Sequence, residues 1–181
     1  MTNSTVERAG ALAELRLASL PKRLLHVAGV ARVANHLTSM GGGGPELETA
    51  AWLHDIGYAP DLAKTGFHPL DGAKFLATQG FPPIVISLVA YHSGAEMEAE
   101  LRGLAGALSR IQKPPAALLD DLTFADMTTS PDGKPVEAKD RIAEILSRYP
   151  EGDVVHAAVT RSAPNLLAAV ERVRSRLDSS T

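Results

Sequence analysis

Residues 51–94, AWLHDIGYAPDLAKTGFHPLDGAKFLATQGFPPIVISLVAYHSG, read as helices punctuated by glycine and proline. A helix that starts at Pro45 ends near Gly57, and Tyr58 to Phe67 reads as a loop. His68-Pro69 suits a helix start because proline has no N–H to waste in the first turn, and Gly80 closes that helix. Pro82-Pro83 opens another, which runs to about His92 and stops at Ser93-Gly94. Apolar residues recur at spacings of three and four, and no segment alternates for the length of a strand. Working outward, helices are expected at about Thr5 to Leu20 and Lys22 to Met40, followed by the break Gly41-Gly42-Gly43-Gly44. Downstream come Ala95 to Ile111, Pro115 to Thr129, a turn at Ser130-Pro131-Asp132-Gly133, and two or three helices at about Glu137 to Arg148, Asp153 to Arg161 and Pro164 to Leu177. The expected fold class is all-α, a single-domain helical bundle over residues 1–181.

A chain of 181 residues that is 45% hydrophobic can bury one continuous core. The absence of cysteine excludes disulfides, thiolate zinc sites, iron–sulfur clusters and cysteine nucleophiles. A net charge of −3 argues against a broad footprint for nucleic acid, while leaving room for a local cationic pocket. With a polar start and no long uncharged apolar run, neither a signal peptide nor a membrane span is expected, which points to the cytoplasm.

Polar residues recur on faces that should be buried. His26 shares a helical stripe with Val30, Val33 and Leu37, His54 with Leu47, Ala50 and Ala51, His92 with Val85, Leu88 and Val89, and Asp126 with Leu119 and Leu122. A buried histidine alone is ordinarily a hydrogen-bonded core residue, but four such positions on separate helices point further. A buried carboxylate is costly unless paired or metal-bound, and Arg23 is the one cation expected on these inner faces. A metal removes the difficulty. Asp55, adjacent to His54, is a fifth donor, and His68, at a helix start, is a sixth. His36 and His156 fall off these stripes and read as structural or surface residues.

The order His26, His54-Asp55, His68, His92, Asp126 resembles the HD superfamily of metal-dependent phosphohydrolases. The segments that carry the likeness are Arg-Leu-Leu-His at 23–26, Leu-His-Asp-Ile-Gly at 53–57, Gly-Phe-His-Pro at 66–69, Tyr-His-Ser-Gly at 91–94 and Ala-Asp-Met at 125–127. The resemblance implies an HD-type bundle with its metal-site core at about 22–129 and helices 137–177 packed on it. In that superfamily, residues matching His26, His54, Asp55 and Asp126 hold one metal. His68 and His92 look like the additional pair of the two-metal branch, in which the residue matching Asp55 bridges the ions. The motif order most resembles hydrolases that split diadenosine tetraphosphate symmetrically. The cyclic-di-GMP branch usually has a lysine where this chain has Tyr58, and a Gly-Tyr-Pro motif that is absent here. For the charge that such a lysine would supply, Arg23 and Lys64 are the candidates beside Asp55.

Imidazole and carboxylate donors without sulfur suit two divalent transition-metal ions, iron or manganese first, with zinc, cobalt or nickel possible. The resemblance implies hydrolysis of a nucleotide or other small phosphorylated metabolite by a metal-activated hydroxide, with no nucleic acid or membrane partner. The same donors also resemble those of HD-fold di-iron oxygenases that act on organic or phosphonate substrates. A non-catalytic nucleotide-sensing module is a third reading. The loops Tyr58 to Phe67 and Thr128 to Lys134 are expected to wall the pocket.

Overall fold

In the computed structural model, which describes residues 2–179, every regular element is helical and the one β contact is an isolated bridge between Thr129 and Pro135. The helices are α1 Thr2–Arg16, α2 Pro21–Ser39, α3 Gly44–Leu53, α4 His68–Thr78, α5 Pro83–Tyr91, α6 Ala95–Leu101, α7 Ala105–Leu108, α8 Ala116–Met127, α9 Ala138–Arg148 and α10 Val154–Asp178. Proline occupies the first turn of α2, α3, α4 and α5, where a missing N–H costs nothing.

Helix α3 sits centrally, packed on α1, α2, α5 and α8. Its Leu47, Ala50, Ala51 and Leu53 meet Val30 and Leu37 of α2, Val85 and Leu88 of α5 and Leu122 of α8 in the main core. A second cluster joins Phe67 and Leu70 to Tyr91 and Leu108, and a third joins Met127 of α8 to Ile142 of α9 and Leu166 and Val170 of α10. The C-terminal pair thus closes over one end of the bundle. Among the described residues no helix is long and apolar enough to cross a membrane.

Several boundaries depart from the sequence expectation, and α1 already ends at Arg16, short of Leu20. Helix α3 stops at Leu53, not near Gly57; His54 and Asp55 leave the helix and a 3₁₀ turn follows at Ile56–Tyr58. The turn brings Gly57 against α4: a Cβ there would lie 2.0 Å from the His68 carbonyl oxygen and 2.7 Å from the Gly72 nitrogen. Ala95 to Ile111 divides into α6 and α7 at Gly103, which adopts φ 71°. Pro164 breaks nothing, because α10 runs through it. Its ring is exposed, while Ala158, Ser162, Leu166, Ala169 and Val170 form a continuous buried face on both sides of it. Packing of that face outweighs the local cost of an interior proline, roughly 3 kcal/mol.

Gly57→Ala is expected to lower the melting temperature by about 5 °C or more, because neither contacting backbone can retreat without moving α4. Thermal denaturation followed by circular dichroism checks this; an unchanged melting temperature would mean that the HD turn and α4 are not held in register by this contact.

Candidate metal centre

Two of the histidines sit just beyond helix C-termini, where the last carbonyls lack intrahelical partners. His54 follows α3 and its Nδ1 donates to the Ala51 carbonyl at 2.8 Å; His92 follows α5 and its Nδ1 donates to the Val89 carbonyl at 2.7 Å. Each ring caps its own helix. His26, in the second turn of α2, donates from Nδ1 to the Ser130 carbonyl at 3.1 Å, which the turn after α8 presents. A carbonyl oxygen only accepts, so Nδ1 carries a hydrogen in all three rings, and each ring turns its Nε2 inward.

Those inward nitrogens are not all partnered. The Nε2 of His54 is buried with no hydrogen-bond partner. The Nε2 of His26 lies 3.0 Å from Oδ1 of Asp126, and the Nε2 of His92 lies 3.1 Å from the Nε2 of His68. His26, His54 and Asp126 therefore offer three ligand atoms within 4.8 Å of one another, and so do Asp55, His68 and His92. Asp55 faces both groups: its Oδ2 is 3.5 Å from His54, and its Oδ1 is 3.3 Å from His68 and 3.8 Å from His92. Converging nitrogen and oxygen acceptors, one of them an orphaned buried nitrogen, fit divalent metal ions.

The charges agree with that fit. Burial pushes His54 and His68 down to about 4, against the nearby carboxylates, so both rings are neutral and available as ligands near neutral pH. Burial would raise Asp55, but Arg23 and His54 hold it well below the usual carboxylate range. Asp126 is likewise opposed by burial and held down by its bond to His26 and by the nearby His54. Asp126 also accepts from the Ser93 hydroxyl. Ser93 is left-handed at φ 49°, a conformation that costs a non-glycine residue of order 1 kcal/mol or more, and it faces the donors.

Arg23 pairs with Asp55 Oδ2 at 2.6 Å and lies 3.9 Å from the centre of the Tyr58 ring, on which His68 stacks. Burial and Asp55 push the Tyr58 hydroxyl up, so it remains a phenol. The expectation that Arg23 is the one inner-face cation needs correction. Arg141 of α9 is 4% exposed and reaches within 3.5 Å of His26 Nε2 and 3.9 Å of Asp126 Oδ1. Its signal was present: it shares the α9 stripe with Ala138 and Ile145, but on a charged helix it reads as one more solvated cation.

The six donors, Arg23 and Arg141 are gathered at one place; Lys64 is not. Its side chain is exposed and lies outside the cavity of about 80 Å³ around the donors, while its backbone N–H bonds Asp71 at 3.0 Å. Of the loop Tyr58 to Phe67 only Tyr58 lines that cavity, and none of Thr128 to Lys134 does; the wall includes instead Glu98 of α6, Met127 of α8, Ile145 and Arg148 of α9, and Val159 and Leu166 of α10. His36 is exposed and His156 is partly so, both outside the cavity.

The family described as HD domain matches residues 23–149, well over half the chain and inclusive of all six donors and Arg141. Ribonuclease Y from Mesoplasma florum (strain ATCC 33453 / NBRC 100688 / NCTC 11704 / L1) is 35% identical over 80 residues, which are 43% of this chain and 16% of that protein. The chain therefore spans about one sixth of the relative's length. No solved structure matches.

The lowered histidines set a pH window for the metal-free protein. In the unfolded chain His54 and His68 take up protons near 6.5, but in the folded chain only at about 4. Between those values the unfolded state binds more protons, so stability falls as pH drops from about 6.5 toward 4. In chelator, the melting temperature should decline steadily across that interval; a flat profile would contradict the burial of neutral rings.

Proposed function

Because this chain belongs to the HD domain family, we propose that it is a metal-dependent phosphohydrolase acting on a nucleotide or another small phosphate ester. The observation that carries the reading is the pair of donor groups on either side of Asp55, with two guanidinium groups beside them. In this reading His26, His54 and Asp126 hold one ion, His68 and His92 hold a second, and Asp55 serves both. Iron or manganese suits nitrogen and oxygen donors without sulfur. When bound, such ions activate water as a nucleophile and offset charge on phosphoryl oxygens.

The chain's own residues do the rest. The main-chain carbonyls of Ala51, Val89 and Ser130 orient three rings, and the Ser93 hydroxyl orients Asp126. Arg23, held by Asp55 and supported on Tyr58, and Arg141, buried beside Asp126, present positive charge where a transferring phosphoryl group gains negative charge. Lys64, exposed and apart, takes no part in this reading. Ribonuclease activity is not carried over from the relative, since the shared segment is 16% of that protein. The di-iron oxygenase alternative uses the same donors and requires oxygen, so assays with and without air separate the two.

Protein loaded with manganese should release phosphate or a nucleotide product from a panel of phosphate esters without consuming oxygen. A loaded protein that is inert to the whole panel, yet consumes oxygen with an organic or phosphonate substrate, would overturn the reading. Asp55→Ala should lose both ions by elemental analysis, whereas His92→Ala should mainly empty the second position; equal losses would contradict the shared role of Asp55. Arg23→Ala should keep its metal and lose turnover by about 100-fold, the scale of removing one charge-stabilising donor.

A further inference from the structure

Next to the metal centre lies a second, larger cavity of about 360 Å³. Arg23, Arg141 and Arg148 line both spaces and form the wall between them. The larger one is lined also by the donor His26, and it adds Lys22 and, as an apolar lining, Leu20, Pro21 and Pro131. Four cations thus surround it against one carboxylate, Glu144, which is already engaged by Arg148 at 2.9 Å and by Arg141. The Nε of Arg141 is buried with no hydrogen-bond partner, although the residue is only 4% exposed. A donor so placed costs free energy until an acceptor reaches it. The same cavity meets the start of α2, a 19-residue helix with no acidic residue in its first turn and no side-chain cap. Its positive end adds to the excess of cations.

We propose that this cavity is a second anion subsite, so that the substrate carries two phosphate groups, one reacting at the metal donors and one held without reaction by Lys22 and Arg148. The inference rests on the phosphohydrolase reading of the metal centre. The small volume around the donors, about 80 Å³, leaves no room for the body of a metabolite, whereas the adjoining space does. Leu20, Pro21 and Pro131 offer apolar contact to a carbon skeleton, and the guanidinium and ammonium groups face its second phosphate. Lys22 and Arg148 lie on facing elements, the first turn of α2 and the last turn of α9, so an anion bridging them would be gripped from two sides. Their role is to select the substrate; neither touches the donors.

Binding of propylphosphonate and 1,3-propanebisphosphonate to the full-length, manganese-loaded protein tests this by titration calorimetry without air. The two probes share a carbon chain, resist hydrolysis and differ by one anionic group. The bisphosphonate is expected to bind at least tenfold more tightly. In the double variant Lys22→Ala, Arg148→Ala that ratio should fall below about twofold, with metal content intact. Equal binding of the two probes by the native protein, or a tenfold ratio that survives in the double variant, would overturn the subsite while leaving the phosphohydrolase reading in place. Failure of both probes to bind the loaded protein would overturn that reading and the subsite with it.

Discussion

The structure depends on a buried crowd of acceptors. Three histidines donate Nδ1–H to main-chain carbonyls, which turns their Nε2 atoms inward, toward two buried carboxylates and a fourth imidazole. Four imidazoles and two carboxylates converge there on two guanidinium groups, Arg23 beside Asp55 and Arg141 beside Asp126 and His26, and the Nε2 of His54 still finds no partner. The donors are thus a demand for positive charge built into the core. Divalent ions would meet it, and they would also tie α2, α3, α4, α5 and α8 to a common point.

Helix ends supply the geometry. A histidine one residue past a C-terminus satisfies a stranded carbonyl and aims its other nitrogen away from the helix, and α3 and α5 use this device twice within forty residues of sequence. Histidines on a helix face would be spaced by the helical repeat; those at helix ends are spaced by where the helices meet. Gly57 permits that meeting, since its hydrogen stands where any side chain would strike the His68 carbonyl.

The helical class and all six donors were legible in the sequence, because apolar spacing marks helices and polar residues on apolar stripes stand out. Where α3 ends was not, since local pattern favours helix through Gly57, and the contact that seats Gly57 against α4 is made with residues distant in sequence. Pro164 misleads for the same reason: a local rule favours a break, and a buried face shared across the proline prevails. Arg141 was hidden by its company, a buried arginine on a helix rich in solvated charges whose distant partners nothing local reveals. Lys64 failed to join the site because Asp71 clips its loop through backbone N–H groups, leaving the side chain outside. The left-handed Ser93, which aims a hydroxyl at Asp126, has no signal beyond the glycine that follows it.

The central claim is that two ions occupy the space between these donors and that Asp55 touches both. Anomalous diffraction from crystals of the manganese-loaded protein, recorded above the metal absorption edge, tests it directly. Two peaks are expected roughly 3.5–4 Å apart, one against His26, His54 and Asp126 and the other against His68 and His92, with the Asp55 carboxylate between them. A single peak, or peaks bound elsewhere on the surface while the buried donors hold none, would contradict it.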